Sequence, residues 1–200
     1  MNVSILKYNG GNIQSVIFAL NRLGIEPIVT DNLEEISKAD KVIFPGVGEA
    51  SSCMNSLKVS GLDAIIPTLK QPVLGICVGL QLMCSHSEEG NTAGLGIFDA
   101  KVRRFDGSSI ETNTQKIPQM GWNTIFDLKS PLFQGIEDQS YIYYVHSYFA
   151  ELSENTIAKT EYIIPYSAAL QKDNFYAVQF HVEKSSKVGE KILENFLNEC

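Results

Sequence analysis

The chain has few basic residues, few cysteines and histidines, and no long apolar run. Its 16 Lys and Arg stand against 23 Asp and Glu, a formal charge of −7. That is the wrong sign for a chain whose main partner is a phosphate backbone or an anionic membrane. The longest apolar run, Val73 to Cys84, is 12 residues interrupted by Gln81, well short of the ~20 that cross a bilayer. The start, Met1 to Tyr8, lacks a charged opening followed by an apolar stretch and a small-residue cleavage site. No secretory signal is read, and a cytoplasmic location is expected. Cys53, Cys77, Cys84 and Cys200 form no Cys-x-x-Cys pair and no metal-ligand rhythm, so free thiols are expected, with neither disulfides nor a metal. The phosphate-cradling G-x-x-x-x-G-K-[ST] pattern is also missing, and no cofactor is expected.

What remains is ordinary globular material. Hydrophobic residues make up 44% of the 200 and charged residues 20%, enough to build one domain over 1–200 with a substantial core. The first half alternates apolar runs with helical spacing. Val3 to Leu6 leads through Gly10-Gly11-Asn12 to apolar positions Ile13, Val16, Ile17, Leu20 and Leu23, with Asn12 placed to cap the helix and Gly24 to end it. Pro27-Ile28-Val29, Leu33 to Ala39, Lys41 to Phe44, Ala50 to Lys58, Asp63 to Leu69 and Val73 to Ile76 continue the alternation, which implies a mainly parallel sheet covered on both faces. After about Gly94 the pattern changes to short strands. These include Tyr141 to Tyr148 and a pair, Ser167 to Lys172 and Phe175 to Phe180, about Asp173-Asn174. An α/β fold is predicted: a mixed central sheet flanked by helices, with an antiparallel C-terminal annex. Asp106 to Gln115 reads as a loop, and Val188, Ile192, Leu193, Phe196 and Leu197 mark a final amphipathic helix.

The chemistry concentrates at Gly75-Ile76-Cys77-Val78-Gly79-Leu80-Gln81, where an apolar strand must turn sharply into a helix. Such an elbow holds its middle residue in strained backbone angles, and flanking glycines let strand and helix approach closely. Cys77 would stand above the carboxyl edge of the sheet, where a helix N-terminus favours negative charge on sulfur. A merely buried cysteine in a strand-to-helix turn has the same local pattern. A cysteine nucleophile acting on an amide needs a base that later returns the proton to the departing amine, and the chain has three histidines. His86 lies nine residues past Cys77; if the helix continues, that is ~12 Å along its axis, out of reach. His146 has no acid placed to face it. His181 has Glu183 two residues on, on the same face if the strand continues. Glu183 could then hold one imidazole nitrogen and turn the other toward Cys77. Taken alone, a His-x-Glu pair is more often a solvated surface pair.

The elbow, together with Gln179-Phe180-His181-Val182-Glu183-Lys184-Ser185, resembles the class I glutamine amidotransferases. Within that family the resemblance is to glutaminase subunits of histidine biosynthesis, carried by Asn9-Gly10-Gly11-Asn12, Pro45-Gly46-Val47-Gly48, Pro118-Gln119-Met120-Gly121-Trp122-Asn123, Val145-His146-Ser147-Tyr148 and Ala168 to Phe175. The resemblance implies a flavodoxin-like α/β fold and a triad of Cys77, His181 and Glu183 that hydrolyses L-glutamine through a glutamyl thioester. It also implies an oxyanion hole from Val78 and the Val47 to Gly48 segment, and substrate contacts from Gln81, Ser147 and Tyr148. Asn12, Met120 and Trp122 would lie toward a partner. That partner is expected to be a cyclase subunit of (β/α)8 barrel type, in a heterodimer, using the ammonia to make imidazole glycerol phosphate and aminoimidazole carboxamide ribotide. Two positions depart from the family pattern: Val182 stands where proline is common, and Lys7 where aspartate is common. Two other readings share part of this pattern. One is a glutaminase feeding another synthase, such as one aminating a nucleotide-linked sugar; the other is a non-catalytic flavodoxin-like binding module.

Overall fold

A computed structural model describes residues 1–107 and 116–200. The first half alternates as read: β1 (Val3–Leu6), α1 (Ile13–Arg22), β2 (Ile28–Thr30), α2 (Leu33–Lys38), β3 (Lys41–Gly46), α3 (Ala50–Ser60), α4 (Leu62–Ile65), β4 (Val73–Cys77) and α5 (Val78–Met83). Shorter strands follow: β5 (Cys84–Ser87), β6 (Thr92–Ala93), β7 (Phe98–Arg104), β8 (Gln119–Ile125), β9 (Ser140–His146), β10 (Tyr148–Ala150), β11 (Thr156–Tyr162), β12 (Ile164–Lys172) and β13 (Phe175–Val178). Helix α6 (Ser186–Asn198) closes the chain. The loop expected over Asp106 to Gln115 falls, from residue 108 on, outside the described residues.

Seven strands form the central sheet in the order β11-β12-β13-β4-β3-β1-β2. β2, β1, β3, β4 and β13 run parallel, and β12 and β11 add antiparallel strands beyond β13. The antiparallel C-terminal part is thus continuous with the sheet. β13 inserts beside β4, with Val178 opposite Ile76, which brings the residues after β13 next to the elbow that ends β4. The order β10-β7-β5-β6 makes a second sheet and β8-β9 a third. The apolar run Tyr141 to Tyr148 is therefore divided, with Ser147 between strands of two different sheets.

Every residue of β1, β3, β4 and β13 is buried, as a parallel sheet covered on both faces requires. Strand β3 is two residues longer than the apolar run suggested, because Pro45 and Gly46 pair with Ile76 and Cys77. Helix α1 ends as predicted: Ile25 N–H donates to Leu20 O and Gly24 N–H to Asn21 O, with Gly24 at φ 77°. Its start differs, since Asn12 Oδ1 accepts from the Ser15 hydroxyl at 3.2 Å rather than from the backbone. In α6, Ile192, Leu193, Phe196 and Leu197 are buried. A Cβ on Gly189 would stand 2.0 Å from Val182 O, so α6 lies backbone to backbone against the turn that follows His181.

Candidate active site

Cys77 sits at φ 54°, ψ −108°, a conformation that non-glycine residues rarely hold and that persists only where the surroundings enforce it. The enforcement is steric. A Cβ on Gly79 would meet Phe44 O at 2.1 Å, and one on Gly46 would meet Gly79 N at 2.4 Å, so the first turn of α5 touches the end of β3 with no side chain between them. This fixes the direction in which β4 gives way to α5, and with it the position of the thiol.

One cavity of about 350 Å³ lies above the elbow, lined by Cys77, Val78 and Gln81 from β4 and α5, and by Val47 and Gly48 after β3. Val145, His146, Ser147 and Tyr148 join them from the β9-to-β10 crossing, with His181, Glu89 and Pro118. Cys77, His181, Val47, Gly48, Val78, Gln81, Ser147 and Tyr148, each singled out in the sequence, are thus brought together. Glu183 stands behind them, its Oε1 2.7 Å from His181 Nδ1, with both side chains almost wholly buried. The contact arises differently from the extended strand expected. β13 ends at Val178, and Val182 to Lys184 form a 3-10 turn that folds Glu183 back on the ring. Ser185 holds this turn: its hydroxyl donates to His181 O at 2.6 Å and accepts from Tyr143 N–H at 3.0 Å. His181 N–H donates in turn to Tyr143 O at 2.9 Å. These bonds, and the close packing of Gly189 against Val182 O, fix the turn through Val182, the position where the family resemblance led to an expectation of proline.

Burial of His181 would by itself lower its pKa, but interaction with Cys77 and the hydrogen bond its Nδ1–H donates to Glu183 outweigh it and bring the value up to about 10. The ring therefore holds its proton at neutral pH. Nε2 is buried and makes no well-formed hydrogen bond, while the ring interacts with the Cys77 sulfur. His146 behaves oppositely. Burial pushes its pKa down to about 3, and its Nδ1 lies 2.7 Å from Tyr148 O and its Nε2 3.0 Å from the Tyr166 hydroxyl. It is a neutral, fully engaged part of the wall.

His86 is away from the cavity, with a corrected reason. Helix α5 stops at Met83, and His86 belongs to β5, opposite Ala93 and Lys101. Its Nε2 lies 2.9 Å from Asn91 Oδ1. Asn12, Met120 and Trp122 do not line the cavity. Met120 and Trp122 are 65% and 53% exposed, with the Trp122 ring edge-on to Tyr143. Sequence reasoning missed Glu89 and Gln179. Glu89 reaches the cavity from a 3-10 turn after β5, where its Oε2 accepts from Ala50 N–H at 2.8 Å, and no local spacing marks it. Gln179 had a signal: it precedes His181 by two residues, the spacing of one face of an extended chain. Its Nε2 lies 3.8 Å from Cys77 Sγ.

Val47 and Gly48 line the cavity, but the Val47 amide is turned away from it. Val47 N–H donates to Gly10 O, the Cys53 thiol lies 3.6 Å from Val47 O, and Tyr8 Oη donates to Pro45 O at 2.7 Å. Of the residues expected at the oxyanion hole, Val78 opens the helix behind Cys77 and Gly48 lines the cavity, whereas the Val47 N–H is engaged by Gly10 O.

Among the described residues no group of His, Cys, Asp or Glu could hold a metal, and no helix is long and apolar enough to cross a membrane. Comparison with known proteins gives the family. The family description Glutamine amidotransferase class-I matches residues 5–200. A protein named imidazole glycerol phosphate synthase subunit HisH from Bacteroides fragilis is 58% identical over 98% of this chain and 99% of its own length. Its namesake from Pasteurella multocida is 43% identical over 98% of this chain and 97% of its own. Among solved structures, a glutamine amidotransferase superposes with a TM-score of 0.74 at 17% identity, covering 98% of this chain and 97% of its own. PurLQS from Thermotoga maritima does so with 0.72 at 15%, covering 99% and 98%. The chain belongs to the class-I glutamine amidotransferases, alongside the HisH subunits of imidazole glycerol phosphate synthase.

Proposed function

We propose that the cavity is where this chain, the glutaminase subunit of an imidazole glycerol phosphate synthase, hydrolyses L-glutamine to glutamate and ammonia for histidine biosynthesis. The observation that carries the reading is a buried Glu183–His181 pair directed at a cysteine on a strained elbow, inside a cavity of amino-acid size. Cys77 Sγ attacks the amide carbon of the substrate, and the tetrahedral oxyanion forms beside Val78 N–H at the start of α5. His181 gives its proton to the departing nitrogen, releasing ammonia and leaving a glutamyl thioester. A water then attacks with His181 as base, and glutamate leaves. At the other end of the substrate, Glu89 is the acid placed to meet the α-ammonium, and the backbone at Ser147 and Tyr148 the α-carboxylate.

The turned-away Val47 amide implies control by a partner. While it donates to Gly10 O, the oxyanion hole lacks a donor that the Val47 to Gly48 segment was expected to supply, a loss of the kind that costs an acyl-transfer enzyme roughly 10²–10³ in rate. Gly10 lies two residues from Asn12, on the loop proposed to meet a cyclase. A cyclase of (β/α)8 barrel type, docked in a heterodimer over Asn12, Met120 and Trp122, would shift this loop and favour the state with Val47 N–H facing the cavity. Docking also shelters ammonia, which free in neutral water would become ammonium and lose its nucleophilicity. Glutamate release should therefore be slow for the chain alone and rise roughly 100-fold with the cyclase and its ligand bound. Full activity in the isolated chain, unchanged by the cyclase, would overturn this coupling.

A further inference from the structure

The orientation of two buried amides can be deduced from one atom that has no choice. The carbonyl of Tyr148 only accepts, so the Gln81 atom 2.9 Å from it must be the amide nitrogen. That nitrogen directs its second hydrogen to Gln179 at 3.2 Å, so Gln179 must present Oε1 there. A carboxamide that turns its oxygen one way turns its nitrogen the other, and Gln179 Nε2 stands 3.8 Å from Cys77 Sγ. Gln179 is fully buried, so no bulk water competes for either bond. With both amide hydrogens of Gln81 engaged, the polar atom it offers to the cavity is Oε1.

We infer that Gln179 is a positioning residue with two outputs, donating an N–H to the Cys77 sulfur and fixing Gln81 so that its Oε1 faces the substrate's α-ammonium. This deepens, and rests on, the reading of the cavity as a glutamine site. The chemistry suits a group that must not compete with His181. An amide N–H stabilises charge on sulfur before attack and again when sulfur leaves the thioester, yet it can take no proton from the thiol. The donor end serves the chemical step, and the acceptor end serves binding through Gln81.

Two substitutions separate the outputs. Gln179→Glu keeps the shape and an oxygen toward Gln81 but turns a carboxylate oxygen toward sulfur. Gln179→Met keeps the length and removes both polar ends. Alkylation of Cys77 by iodoacetamide at pH 8, followed by peptide mass, needs neither partner nor glutamine, so it reports on the sulfur even if the glutaminase reading fails. It should slow at least about tenfold in both variants relative to the parent. In the complex with the cyclase, kcat should fall in both, while KM for glutamine should rise about tenfold in Gln179→Met and stay within about threefold of the parent in Gln179→Glu. Thermal unfolding of each variant monitors the fold; should Gln179→Met fail to fold, the isosteric Gln179→Glu carries the test. An alkylation rate in Gln179→Glu within twofold of the parent would overturn the donor role. An equal rise of KM in both variants would overturn the orienting role.

Discussion

Replacing Cys77 with alanine is expected to abolish glutamine-dependent synthesis in the complex while leaving ammonium-dependent synthesis intact. The loss should be roughly 10⁴-fold or more, because removing the nucleophile leaves only binding and the oxyanion hole. The fold should be unaffected, because the backbone of the elbow is set by the approach of Gly79 to Phe44 O and of Gly46 to Gly79 N. Cys53, Cys84 and Cys200 cannot take over. Cys53 and Cys84 are buried, with burial raising the thiol pKa of Cys53 to about 11 and pushing that of Cys84 higher still, and Cys200 lies outside the cavity lining. With glutaminase chemistry removed, ammonium salts should still feed the partner, and better as pH rises and the neutral form becomes commoner. Imidazole glycerol phosphate formation with glutamine and with ammonium chloride, compared in parent and Cys77→Ala complexes, checks both halves. Equal loss with both nitrogen sources would mean the substitution damaged the assembly rather than the chemistry.

His181→Ala should be nearly as damaging, whereas Glu183→Gln should retain activity roughly 10²-fold above it. The difference follows from geometry. His181 moves the proton, whereas Glu183 orients the ring through a 2.7 Å bond and favours its charged form. Glutamine at 183 keeps an oxygen for Nδ1 but loses the charge. Stability should respond as well. The His181 pKa is raised to about 10 in the folded chain, against ~6.5 when unfolded. The ring's contribution is therefore fully present below pH ~6.5 and is lost as pH climbs toward about 10. Urea unfolding at pH 7 and pH 10 should show a smaller alkaline loss in Glu183→Gln than in the parent, and an identical loss would count against charge pairing at this site. His86→Ala, changing a strand residue far from the cavity, should leave activity unaltered.

The elbow was legible because its backbone demand is local: only a sharp turn needs glycine at 75 and 79 about a residue held at positive φ. The alternating runs of the first half were legible because parallel strands buried on both faces leave continuous apolar segments. Local pattern failed where distant pairing decides structure. Helix α5 ends at Met83 because Cys84 to Ser87 pair with β7, residues far along the chain, so the extended-helix argument about His86 reached its conclusion by the wrong route. The His181 to Glu183 contact came from a 3-10 turn tied down by Ser185 and α6, which a strand pattern does not contain. Glu89 arrives from a turn whose position is set by Ala50 on another element. The direction of the Val47 amide depends on a bond to Gly10, across two loops; no spacing encodes it.

The central claim is that Cys77 is the nucleophile of a glutamine site, and covalent trapping tests it most directly. In the complex with the cyclase, a glutamine analogue bearing a diazoketone in place of the amide should lose nitrogen and form one carbon–sulfur bond. Digestion and mass measurement should place that single adduct on the peptide containing Cys77, with glutamine protecting against it and Cys77→Ala preventing it. An adduct on Cys53, Cys84 or Cys200, or no adduct while glutamine is still hydrolysed, would contradict the account.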